Sequence, residues 1–148
     1  MIHRSSALLV FVLAALAAGR SPAVAQAAFT LTRIELTFQN GRGDITVPLR
    51  YPDLRAYAIL RFSGSGILEA TWKVDGRILS TIAEPTVFGE TLILATPKTP
   101  PLPTFEPGLH RVTLDVAAPK PAFTIPEITY FVTAEEYEEF KKRMERLE

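Results

Sequence analysis

From Leu68 to Val74 the chain alternates without a slip: Leu68, Ala70, Trp72 and Val74 fall on one parity, and Glu69, Thr71 and Lys73 on the other. A period of two buries one set and turns the other to water, so the segment predicts a strand with Trp72 in the core. Asp75-Gly76 follows, the dipeptide of a tight hairpin turn, and predicts a return strand over 77–82. The same alternation marks 29–38, through Leu31, Ile34, Leu36 and Phe38, with one parity slip near Arg33 that predicts a bulge. It recurs at Ala56, Ala58, Leu60 and Phe62, and again at Val112, Leu114 and Val116. Apolar runs at 44–49, 91–95 and 122–132 supply further strands, Pro126 restricting the last to an edge or a bulge.

Gly and Pro punctuate these runs at Asn40-Gly41-Arg42-Gly43, Tyr51-Pro52-Asp53 and Ser63-Gly64-Ser65-Gly66. Residues 97–107 (PKTPPLPTFEP) cannot be a central strand, because proline has no N–H to give a ladder; they read as a stiff crossover between two sheets. About seven to eight short strands at this spacing predict an all-β fold, an antiparallel β-sandwich spanning residues 26–132.

The pattern changes at the C-terminus. Tyr137, Phe140, Met144 and Leu147 follow at steps of three and four, one stripe of an amphipathic helix over 133–148. Thr133-Ala134-Glu135-Glu136 has the form of a capping box. Acids crowd the first turns and bases the later ones, as the helix dipole favours. So short a helix has little stability alone, and its stripe calls for a covering surface.

The N-terminus has no such pattern. His3 and Arg4 precede the unbroken apolar run 7–18 (ALLVFVLAALAA), broken by Gly19 and Pro22 before Ala23-Val24-Ala25. That order predicts a cleavable signal peptide over residues 1–25, cut before Gln26. The run is too short for a spanning helix, which needs about 18 apolar residues. The expected location is the periplasm or the cell exterior, by a Sec-type route, with no membrane span in the mature chain. The chain has no cysteine, so no disulfide and no lipidated N-terminal Cys can form.

Loss of Arg4 and Arg20 with the leader leaves 123 residues with 14 basic and 16 acidic side chains, a net charge of −2 with His110 neutral. Near-neutrality argues against a nucleic-acid partner, whose phosphates call for clustered Lys and Arg.

Two short stretches resemble bacterial immunoglobulin-like modules of the fibronectin type III and CARDB kind. Ala70-Thr71-Trp72-Lys73-Val74-Asp75-Gly76 is similar to their W-x-V-D-G hairpin, and Glu106-Pro107-Gly108-Leu109-His110-Arg111-Val112 to their P-G-x-H-x-V strand entry. The resemblance covers most of residues 28–132. It implies an immunoglobulin-like sandwich, cysteine-free, to which a C-terminal helix has been added. It also implies a binding, spacing or adhesive unit, since a fold hosts such roles without fixing one.

Candidate chemistry is sparse. His110 is the one histidine left after the leader, and its parity with Val112 and Leu114 turns it toward the core edge, where it can bond to backbone as a tyrosine corner does. No G-x-S-x-G elbow accompanies it. One His and no Cys leave only carboxylates for a metal, and these lack calcium-loop spacing. Arg42-Gly43-Asp44 spells the integrin tripeptide on a predicted hairpin tip, but Gly and Asp are also what a turn demands. Pro100-Pro101-Leu102-Pro103 has the form of a polyproline ligand, but also of a crossover.

The sequence therefore predicts no catalytic residue, no cofactor and no metal. It predicts an exported, non-enzymatic binding or structural module acting by protein–protein contact. An unidentified protein partner, or a second copy, would meet it through Tyr137, Phe140, Met144 and Leu147 or through a free sheet edge. A carbohydrate-binding module is the alternative, with Tyr51, Tyr57 and Tyr130 as available rings; a small hydrolase would need two close carboxylates in a cleft.

Overall fold

The computed structural model describes residues 27–86 and 89–147. The expected leader and its cut before Gln26 lie outside the described residues. Eight strands form, β1 (Thr30–Phe38), β2 (Asp44–Leu49), β3 (Ala56–Ser63), β4 (Gly66–Val74), β5 (Arg77–Thr86), β6 (Thr91–Ala95), β7 (Gly108–Ala118) and β8 (Ile128–Glu136), followed by helix α1 (Tyr137–Glu145). They make two sheets, one ordered β1-β3-β6 and one ordered β2-β8-β7-β4-β5. Every pairing is antiparallel except β2 with β8, which is parallel. The parallel pair is a departure from the all-antiparallel expectation.

Alternation builds the core as the sequence predicts. The apolar parity of β4 is buried throughout, and Trp72 is fully enclosed. β3 contributes Ala56, Ala58, Leu60 and Phe62 from the opposite sheet. The bulge expected near Arg33 lies between Leu31 and Arg33. At the hairpin, Asp75 (φ 50°) and Gly76 (φ 78°) both take the left-handed conformation of a type I′ turn.

The turns at 40–43 and 63–66 connect strands in different sheets, so neither is a hairpin. At the second, Gly64 has no room for a side chain: a Cβ there would stand 2.5 Å from the Ala28 carbonyl oxygen. The segment entering β1 therefore lies directly on this turn. The 97–107 segment does run from the smaller sheet to the larger one. It is anchored by buried Leu102 and Thr104, with Arg50 N–H donating to the Thr104 carbonyl (2.8 Å) and the Thr104 hydroxyl donating to the Tyr51 carbonyl (2.9 Å).

Two expectations at the end of the chain need correction. The last strand does not run over 122–132. Residues 122–127 are irregular, Pro121 and Pro126 each lacking a donor, although Phe123 and Ile125 still pack on the core. The strand starts at Ile128 and lies inside the sheet, between β2 and β7, rather than at an edge. The capping box at Thr133 does not form either. β8 continues to Glu136, paired with Leu49 of β2 after a register shift, and the helix begins at Tyr137 without a side-chain cap. A ladder along β2 competes for the same residues and wins, because it extends pairing already begun at Asp44.

Candidate functional site

The densest polar constellation sits at one end of the sandwich, where the β4–β5 turn, the crossover and the start of β7 meet. β7 carries His110 inward beside Val112, as its parity requires. The ring is nearly buried and stacks on Tyr130, centroids 5.0 Å apart and planes 22° apart. His110 Nδ1 is 2.7 Å from Asp75 Oδ2, and Nε2 is 2.8 Å from the Glu106 carbonyl oxygen. Asp75 also accepts from the Arg111 backbone N–H (2.9 Å), while its own N–H donates to the Arg111 carbonyl. Tyr130 donates its hydroxyl to the Pro103 carbonyl at 2.7 Å.

Both ring nitrogens thus face oxygen acceptors, and only the imidazolium can donate from both. Burial alone would depress the His110 pKa. The hydrogen bonds to Asp75 and to the Glu106 carbonyl, with the Asp75 charge, outweigh it and raise the pKa above the ordinary histidine value. Burial pulls the Asp75 pKa up, but the bonds from His110 and the Arg111 N–H more than reverse it, and the net shift is downward. Burial and the nearby Asp75 charge push the Tyr130 phenol up, consistent with its role as donor.

Chemically, this is a clamp. A histidine acting as general base must present a free nitrogen to a nucleophile. Here Nδ1 is taken by Asp75 and Nε2 by main chain. The backbone bond expected of His110 is present; the Asp75 partner, 35 residues away in sequence, carries no signal in the local pattern beyond its place in the turn. Beside the clamp a cavity of about 460 Å³ opens between Val74, Ile78, Leu79, Pro103 and Phe105. Glu106 also borders it, but meets His110 through its backbone carbonyl. Among the described residues no three His, Cys, Asp or Glu side chains gather as a metal site would.

The four stripe residues stand apart from this corner. No residue of α1 is buried. Tyr137 meets Tyr51 edge-on at 5.5 Å, and Phe140 is half-buried with the Arg143 guanidinium 5.5 Å over its ring. Arg143 is held in turn by Glu135 at 3.0 Å. Met144 and Leu147 are exposed, at 47% and 76%. The stripe is therefore covered at its start and bare at its end.

Of the three tyrosines offered for sugar stacking, Tyr57 is half-buried with the Arg55 guanidinium 5.9 Å over its ring. Tyr130 is fully buried, and Tyr51 is turned edge-on to Tyr137. Arg42 and Asp44 pair with each other at 3.4 Å on the inter-sheet turn, where Asn40 Oδ1 accepts from the Arg42 N–H.

These features define an immunoglobulin-like β-sandwich module with a histidine clamp at one end. The chain is similar in structure to the CARDB domain of a protein from Pyrococcus furiosus, crystallised in complex with di-metal ions: 10% identity, TM-score 0.50, covering 74% of this chain and 96% of that one. A solution structure of a CARDB domain from the same organism gives 12% identity, TM-score 0.50, and coverage of 72% and 97%. The likeness bears on the fold. No known protein family matches the chain by sequence, and no curated protein does.

Proposed function

We propose that the mature chain is an exported, non-catalytic module that works by protein–protein contact in the cell envelope or outside the cell. The observation that carries this reading is the bare end of α1. A nine-residue helix with no buried residue gains little from its own sandwich, yet it presents Met144 and, just beyond its end, Leu147 to solvent. Exposed apolar side chains of this kind on a helix are what a partner's groove receives. The closed coordination of His110 supports the absence of catalysis, and the leader over residues 1–25 supports export.

The metal ions of the Pyrococcus furiosus domain's complex are not carried over. The described residues supply no cluster of ligands for them.

The test is capture of envelope proteins by the full mature chain, compared with Met144→Glu and Leu147→Glu. Loss of a specific partner with an unchanged melting temperature supports the reading. A partner retained by both variants overturns the helix as the contact surface.

A further inference from the structure

β5 is an edge strand: it pairs with β4 on one side and with no described strand on the other. Long bare edges invite pairing with another chain and are normally blunted. This one has Pro85 near its end and a bulge opposite Trp72 and Lys73. Between them, residues 78–84 contain no proline.

The register with β4 fixes which face each side chain takes. Arg77, Ser80, Ile82 and Glu84 lie opposite Val74, Trp72, Ala70 and Leu68, all buried, so they share the core-side face. Ile78, Thr81 and Ala83 lie opposite Lys73, Thr71 and Glu69, and share the outer face.

We propose that β5 pairs antiparallel with β5 of a second copy, about a two-fold axis at Thr81, joining the two larger sheets into one. Residues directly opposite in an antiparallel pair share a face, and this register satisfies that rule along its length. Ser80 stands opposite Ile82 of the partner copy. The bulge then sets Ile78 and Leu79 together against Ala83, two residues against one. Beyond it Arg77 stands opposite Glu84, and by symmetry the ion pair occurs at both ends. Among the described residues neither Arg77 nor Glu84 has an ion-pair partner within its own chain. Moving the axis to Ile82 sets Glu84 against Ser80 and Arg77 against Thr86, and forfeits both charge pairs. The edge is self-complementary in this register, which is what a two-fold interface needs.

The proposal is independent of the helix reading. Sedimentation equilibrium of the mature chain, from low micromolar to several hundred micromolar, should show a monomer–dimer equilibrium. Arg77→Glu and Glu84→Arg should each weaken the dimer about tenfold or more, because two pairs become two like-charge contacts. The double charge swap should restore it. Met144→Glu should leave it unchanged, and melting curves should confirm that all variants fold. A protein monomeric throughout the range overturns the proposal. So does a dimer insensitive to the single swaps, a double swap that fails to rescue, or loss of the dimer in Met144→Glu.

Discussion

His110 Nδ1 lies 2.7 Å from Asp75 Oδ2, a side-chain contact that joins the two backbone-level bonds between Asp75 and Arg111 in tying the start of β7 to the tip of the β4–β5 hairpin. Its energetics depend on pH from both partners. The His110 pKa is raised on folding, so its contribution is full below the ordinary histidine value of 6.5 and is lost as pH rises through the elevated value. The Asp75 pKa is lowered, so its contribution is present above 3.8 and is lost as pH falls through the depressed value. Melting temperature should therefore decline on the alkaline side of 6.5. His110→Gln, which keeps one amide donor and has no proton to lose, should flatten that decline. Equal slopes in wild type and variant would remove His110 as its source.

Asp75 combines a left-handed backbone with two accepted hydrogen bonds. Asp75→Asn should tolerate the conformation and keep an acceptor for the Arg111 N–H, losing mainly the charge. Asp75→Val should lose the acceptor and strain a β-branched residue at positive φ. Chemical denaturation should rank stability as wild type, then Asn, then Val.

Trp72 is the sole tryptophan and fully buried, so its emission should be blue-shifted and resist iodide quenching. Trp72→Ala should cost about 3–5 kcal/mol, as truncation of a buried large aromatic does. Among the described residues the indole N–H has no protein hydrogen-bond partner, so Trp72→Phe sacrifices no bond within them and should cost less. Urea melts of the two variants check the order.

Removing residues 137–148 should leave the sandwich folded. β8 would keep its pairing with β2 through Glu136, and the main loss is the Tyr51–Tyr137 contact, about 0.5–1.5 kcal/mol for an aromatic pair. A cut before Ala134 also strips the end of the ladder and should lower the melting temperature further. Calorimetry of both truncations distinguishes the helix from the strand that carries it.

The proposed export predicts a mature protein that begins at Gln26, since Ala23-Val24-Ala25 offers small residues at both recognition positions after a helix breaker. Intact-mass measurement decides it; a mass retaining residues 1–25 would mean an uncleaved leader.

What the sequence determined by itself was local and periodic. Leu68, Ala70, Trp72 and Val74 announced a buried face because a strand's side chains alternate, and Asp75-Gly76 announced the turn because few residues accept positive φ. The parity of His110 likewise gave its inward direction. Tertiary structure decided whatever depended on a competitor distant in sequence. Thr133 to Glu136 hold a sound helix start, but a strand some 85 residues earlier offered a ladder, and the ladder won. Parallel pairing of β2 with β8 leaves no mark on either segment, since alternation is the same whichever way the neighbour runs. His110 found Asp75 because the crossover and the hairpin converge at one end of the sandwich, and that convergence, rather than the residues themselves, closed both ring nitrogens and made the histidine a clamp.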